Sequence, residues 1–163
     1  MTVNQANAVA QDFKLGEMDQ VAFVVRNMDQ ALPAYEALFG KFHVMPLPPM
    51  PAKFRGKDIS IQLKLAFAKA GGLEIEVIEA SGDTGPYGEH IERHGEGLHH
   101  LRYKVDNLQD SLKAMDAAGY VNVYSGGASS VRFAYVEAPA KLGHTLLELV
   151  EGMSGSTMAQ KKV

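Results

Sequence analysis

The chain has 163 residues, 46% hydrophobic and 21% charged, a balance that fits one globular domain with a buried core. Its net charge of −3 leaves no nucleic-acid footprint, and no run of Lys or Arg or long apolar stretch suggests a membrane partner or span. Cysteine is absent, which excludes disulfides, thiolate metal sites and a cysteine nucleophile. Met1 to Lys14 is polar and lacks the apolar core of a secretory signal, so a cytoplasmic location is expected.

Gln20–Arg26 is a short apolar run with β-branched and aromatic residues and predicts a strand. Asn27, with Gln30 three residues on, marks a helix N-cap. Met28, Ala31, Leu32 and Tyr35 follow at helical spacing until Gly40 ends the helix. Pro33 inside that segment predicts a late start or a kink. Strands are expected over about 41–46, 59–69 and 72–79, with Pro46–Pro51 in a long connecting loop. Gly82, Gly85, Pro86 and Gly88 punctuate a linker that holds a short helix around 87–94. The same order then returns: a strand over 97–105, a helix over 108–118 capped by Asn107, and strands near 120–125, 130–137 and 144–151. The chain therefore reads as α+β, two tandem βαβββ modules at 16–80 and 97–151 joined by a linker at 81–96, with tails at 1–15 and 152–163.

The modules repeat in sequence as well as in order. At an offset of 80, Val25, Asn27, Leu32, Ala34 and Ala37 meet Val105, Asn107, Leu112, Ala114 and Ala117. At an offset of 72, Ile75-Glu76-Val77-Ile78-Glu79 meets Leu147-Glu148-Leu149-Val150-Glu151. Two copies related by a pseudo-twofold put equivalent residues face to face. The equivalent polar pairs are Gln20 with His100 and Glu76 with Glu148, and two carboxylates, an imidazole and an amide are what a divalent cation needs.

Strand alternation sorts the faces. Leu147 and Leu149 share one side of their strand, leaving Glu148 on the other between Leu146 and Val150. An ionised carboxylate there is costly unless a cation or donor meets it. Leu101, Tyr103 and Val105 should pack on a helix, so His100 and Arg102 look the other way. The concave face is expected to hold Gln20, Glu76, His100, Arg102 and Glu148. His99 reads as structural or as a support for His100. Glu74 and Glu79 read as solvated strand-end charges, and His90 and His94 as exposed. Phe54, Phe67, Phe133 and Tyr135 are candidates to line the cup, and Met18, Met28 and Met115 to fill the core.

The segments Gln20–Gly40, Gly95-Glu96-Gly97-Leu98-His99-His100 and Gly143-His144-Thr145-Leu146-Leu147-Glu148-Leu149 resemble the vicinal oxygen chelate superfamily. That group includes glyoxalases, methylmalonyl-CoA epimerases, extradiol dioxygenases and fosfomycin or bleomycin resistance proteins. The phrase at 95–100 is most similar to the methylmalonyl-CoA epimerase branch, and the resemblance spans about residues 16–151. It implies a cupped, partly open β-barrel with flanking helices. It also implies that the family's four metal positions fall on Gln20, Glu76, His100 and Glu148. Epimerases and dioxygenases usually carry histidine where this chain has Gln20, and no acid in 41–57 matches the epimerases' second base.

What the resemblance implies about function is a metal-assisted isomerase or lyase that removes a proton next to a carbonyl. Its substrate would be a small oxo acid, hydroxy ketone or acyl thioester. A divalent Zn, Mn, Co, Ni or Mg ion would polarise the carbonyl, with Glu148 or Glu76 as the base and Arg102 on a substrate anion. Three alternatives stand beside it: a buried salt-bridge network without metal, a metal-free isomerase using Glu148 alone, and a binding protein that holds a bulky organic ligand in the cup. A homodimer is expected from the resemblance.

Overall fold

The computed structural model describes residues 12–128, 130–138 and 143–153. Module one comprises β1 (Met18–Val24), α1 (Met28–Phe39), β2 (His43–Pro46), β3 (Met50–Phe54), β4 (Lys57–Ala70) and β5 (Leu73–Gly82). After α2 (Gly85–His94), module two comprises β6 (Gly97–Lys104), α3 (Leu108–Ala117), β7 (Val121–Ala128), β8 (Val131–Glu137) and β9 (Leu146–Glu151). The expected tails at 1–15 and 152–163 lie largely outside the described residues. Where the description begins, Phe13 and Leu15 pack against the cluster beneath α3.

Hydrogen-bonded strands follow the order β2-β4-β3-β7-β8-β9-β6-β1-β5, and β5 pairs back onto β4. Eight strands thus close a ring, and β2 lies beside β4 as a ninth. The cup expected to be partly open is shut by β3, which meets β7 through Lys53↔Ser125 and Phe54↔Tyr124. β3 occupies part of the stretch read as a connecting loop. Its five residues alternate, Met50, Ala52 and Phe54 facing the inner cluster and Pro51 and Lys53 facing out, but Pro48, Pro49 and Pro51 hide the short run among turn signals. Arg55 and Gly56 join β3 to β4, with φ of 47° and 79°. Two consecutive positive φ values are those of a type I′ turn, whose twist matches that of the flanking strands.

The pseudo-twofold passes between β1 and β6, which pair antiparallel at the centre. Each also pairs parallel with the last strand of its own module, β1 with β5 and β6 with β9. The central ladder slips twice. Asp19 is skipped between Met18↔Tyr103 and Gln20↔Arg102, and His99 is skipped between Ala22↔His100 and Phe23↔Leu98. Asp19 and His99 are equivalent at the offset of 80. A bulge turns an extra residue inward, so Asp19 and Gln20, like His99 and His100, are buried although adjacent.

The helices start by the same device in both modules. The Asn27 side chain accepts from Gln30 N and that of Asn107 from Asp110 N. Glu79 accepts from Met28 N at 2.6 Å, and Glu151 from Leu108 N at 2.7 Å. Glu79, expected to be a solvated charge, is therefore half-buried at the start of α1. Each helix lays an apolar face on the outer wall, Met28 against Ala66 and Val77, and Met115 against Ala134 and Leu149. α1 runs unbroken through Pro33. Replacing Asn27 or Asn107 by Ala is expected to cost about 1 kcal/mol each through loss of the cap, read as a lowered urea midpoint with unchanged slope.

Candidate functional site

The barrel interior is aromatic at one end and polar at the other. Phe67, Tyr87, Tyr124 and Tyr135 are buried in the inner cluster. Tyr87 and Tyr135 share a hydroxyl–hydroxyl bond of 2.8 Å. The Tyr135 ring lies 4.7 Å from the His100 ring, centroid to centroid. Beyond that ring, Gln20, Glu76, His100 and Glu148 come together, each at most 9% exposed. His100 Nε2 lies 3.1 Å from Glu148 Oε2, 3.6 Å from Glu76 Oε2 and 3.3 Å from Gln20 Oε1.

The hydrogen bonds around these groups fix which atoms face one another. His99 Nε2 lies 3.3 Å from the Pro86 carbonyl, which can only accept, so that nitrogen carries a hydrogen. Burial, with His100 and His90 nearby, holds the His99 imidazole well below its ordinary basicity, so it is neutral and its Nδ1 is bare. His100 Nδ1, 3.0 Å away, must then donate to it. His100 Nε2 is thus the ring nitrogen that faces the carboxyls, and it is an acceptor there when it carries no proton. Gln20 Nε2 donates to Glu74 Oε1 at 2.8 Å, which leaves Gln20 Oε1 facing the same point. Four acceptors meet there, and such a meeting needs a proton or a cation between them. Burial, reinforced by the charge of Glu148, pushes the Glu76 carboxyl well above its ordinary value.

The donor set suits a divalent ion. Atoms about 2.1 Å from an octahedral ion lie about 3 Å apart, close to the separations above. Among the described residues no three or more His, Asp and Glu side chains are grouped so that they could hold a metal ion as they stand. The case for an ion rests on the chemistry of the four acceptors.

Arg102, expected to hold a substrate anion, is otherwise engaged. It is buried, donates to both Asp19 oxygens at 2.8 and 2.9 Å, and reaches Glu74 Oε1 at 3.2 Å. Burial alone would raise Asp19, but this guanidinium outweighs it and holds the carboxyl below its ordinary range. Glu74, read as a solvated strand end, is fully buried. It lies opposite Gln20 in the parallel β1–β5 ladder, which is why the two side chains meet. No repeat partner flags Glu74, because its equivalent in module two is Leu146. Asp19 was visible only as the repeat partner of His99.

His90 is also buried rather than exposed, its ring 5.1 Å from that of His99. His94 stacks on His144 at 3.6 Å between centroids. These rings border a cavity of about 400 Å³ between α2, the β3–β4 turn and the ends of β8 and β9, also lined by Arg55, Pro86 and Leu146. Leu146 packs against the inner cluster as well, so the cavity and the polar centre share a wall.

A 4-hydroxyphenylpyruvate dioxygenase of Caenorhabditis briggsae is 31% identical over 137 residues, 80% of this chain and 33% of that protein. The chain spans about a third of the length of the curated dioxygenases it matches. Methylmalonyl-CoA epimerase from Mycobacterium tuberculosis superposes with a TM-score of 0.57 at 18% identity, covering 86% of this chain and 90% of that one. A Streptomyces coelicolor methylmalonyl-CoA epimerase in complex with 2-nitronate-propionyl-CoA gives 0.59 at 16% identity, over 88% and 99%. At such identities the likeness is one of fold. Residues 19–135 match the family model itself, and the chain belongs to the Glyoxalase/Bleomycin resistance protein/Dioxygenase superfamily.

Proposed function

We propose that this protein is a metal-assisted isomerase or lyase of the glyoxalase and epimerase kind, which removes a proton beside the carbonyl of a small oxo acid, hydroxy ketone or acyl thioester. The observation that carries the reading is the meeting of four acceptor atoms, from Gln20, Glu76, His100 and Glu148, in a closed interior. A divalent ion held there supplies Lewis acidity, which stabilises negative charge on the substrate oxygen. Glu148 takes the α-proton, the electron pair of the broken C–H bond moves to the carbonyl oxygen, and Glu76, equivalent to it across the pseudo-twofold, returns a proton. Tyr87 and Tyr135 keep water from the carbanion equivalent. The nitronate ligand of the Streptomyces relative has the planar, delocalised charge of an enolate, in keeping with this chemistry on this fold.

The donor set favours this over a redox reading, since a non-haem iron oxygenase site normally offers two imidazoles and one carboxylate. Arg102 bonds to Asp19 and Glu74 rather than to Glu76 or Glu148, which weakens the metal-free salt-bridge alternative. The tyrosines that fill the inner cluster leave less room for a bulky ligand held without chemistry. A homodimer and a cytoplasmic location remain part of the proposal. No helix among the described residues is long and apolar enough to cross a membrane.

Calorimetric titration of chelator-stripped protein with Co²⁺ should show one ion per chain, and His100→Ala should weaken it by about 100-fold or more. An unchanged isotherm in the variant would remove the ion from this site. Glu148→Gln should lower solvent proton exchange into 2-oxo acids or acyl thioesters by about 10²–10⁴-fold with the fold retained; full exchange would dismiss Glu148 as the base.

Glu76 makes a separate prediction for the metal-free protein. Its carboxyl is raised in the fold above its ordinary 4.5, so between those limits the folded state holds a proton that the unfolded state releases. The stability that Glu76 contributes is therefore fully present below pH 4.5 and is lost as pH rises through the folded value. Thermal melts of stripped protein should show this decline, and Glu76→Gln should flatten it.

A further inference from the structure

We infer that Glu74 is the positioning residue that decides which end of the Gln20 amide faces the polar centre, fixed in turn by Arg102 and Asp19. The inference rests on the proposed function for its consequence, metal affinity, but its geometry stands on its own. A glutamine side chain presents an oxygen and an NH₂ group of nearly the same shape. Turned one way, Gln20 is a ligand; turned the other, it points two hydrogens at whatever sits between the carboxyls. Nothing in its covalent structure chooses. Glu74 Oε1 accepts from Gln20 Nε2 at 2.8 Å, and a carboxylate oxygen there can only accept, so Gln20 Oε1 is forced toward His100.

The same Glu74 oxygen accepts from Arg102 Nη2 at 3.2 Å, and Arg102 is itself clamped on both Asp19 oxygens. Asp19, Gln20, Glu74 and Arg102 are at most 4% exposed, so the chain of bonds is shielded from competing water. The Asp19 bulge brings the clamp inside, since without it Asp19 would point away from Arg102.

Module two supports the inference by contrast. There the equivalent of Gln20 is His100, and the equivalent of Glu74 is Leu146, which has nothing to accept with. An imidazole needs its tautomer fixed rather than its ends chosen, and His99 does that from the matching bulge. Each module therefore carries the orienting partner that its own donor requires.

The test is a double-mutant cycle read by Co²⁺ affinity and by the cobalt absorption spectrum. Glu74→Leu should weaken binding by about 10–100-fold, the usual effect of losing a group that orients a ligand. Gln20→Glu replaces the two unlike ends with two oxygens, so orientation ceases to matter. In that background Glu74→Leu should cause no loss, and a gain is expected because it removes a like charge. Equal losses in both backgrounds, or none in the native one, overturn the inference. Glu74→Asp, which keeps a charge for Arg102 but shortens the reach to Gln20, serves if the leucine variant does not fold. Wild type that takes no Co²⁺ defeats the proposed function instead, and the inference is then decided by NMR of the Gln20 side-chain amide. Its protons should be shifted downfield and exchange slowly in wild type, and lose both properties in Glu74→Leu or Glu74→Asp. Ordinary shifts in wild type would overturn it.

Discussion

Four buried carboxyls, of Asp19, Glu74, Glu76 and Glu148, share the interior with one buried guanidinium, that of Arg102, among the described residues. Carboxylates leave water only when something replaces it. Arg102 meets the need of Asp19 and Glu74, and in doing so leaves Glu76 and Glu148 to a single imidazole nitrogen. The tyrosines around them make the shortage more severe by excluding water. Part of the answer is on view: Glu76 is driven toward its protonated form. A divalent ion would satisfy all four acceptors together, and this surplus of lone pairs is what the remaining architecture is built around.

Duplication explains where these groups lie but not which groups they are. The modules share their helix caps, the carboxylates of Glu79 and Glu151 at the helix starts, and a bulge one residue before each inward donor. On that common frame the inner positions diverge. Gln20 stands against His100 and Glu74 against Leu146, so one half of the site carries a charge network and the other an apolar wall. An asymmetric centre lets its two carboxylates differ. Glu76 shares its strand and face with Glu74, whereas Glu148 pairs across the ladder with Arg102.

Periodicity and the repeat were enough to reveal the two modules, their central strands and the quartet of inward donors. Each of those rests on a local pattern that recurs 72 or 80 residues on. What escaped depends on tertiary pairing. β3 is a short alternating run that Pro48, Pro49 and Pro51 disguise as a loop, and its pairing with β4 shows it to be a strand. Asp19 and His99 break alternation because the ladder slips, and a slip leaves no mark in a single strand. Arg102 was placed on the correct face, but its partner was not, since Asp19 should by alternation have pointed out. Glu74 was discounted because a glutamate near a strand end is usually solvated, and only the β1–β5 register sets it against Gln20. His90 was discounted because its spacing from His94 suggested a pair on an exposed face, whereas α2 turns it inward onto His99.

The closed ring bears on how such a site would be reached. β4 and β5 share ten residue pairs, whereas β3 meets β7 through two. Arg55 ties that seam together, its backbone N–H donating to the Val123 carbonyl at 2.7 Å and its guanidinium bonding to Glu89 of α2 and Glu137 of β8. These side chains are between 24% and 38% exposed, and ion pairs in contact with solvent contribute little. Opening the ring elsewhere would break more of the ladder, so the β3–β7 seam is where it parts at least cost. The seam also borders the cavity that touches His90 and Leu146. The part of the ring held by the fewest ladder pairs is thus also the part that borders this cavity, which shares Leu146 with the inner cluster.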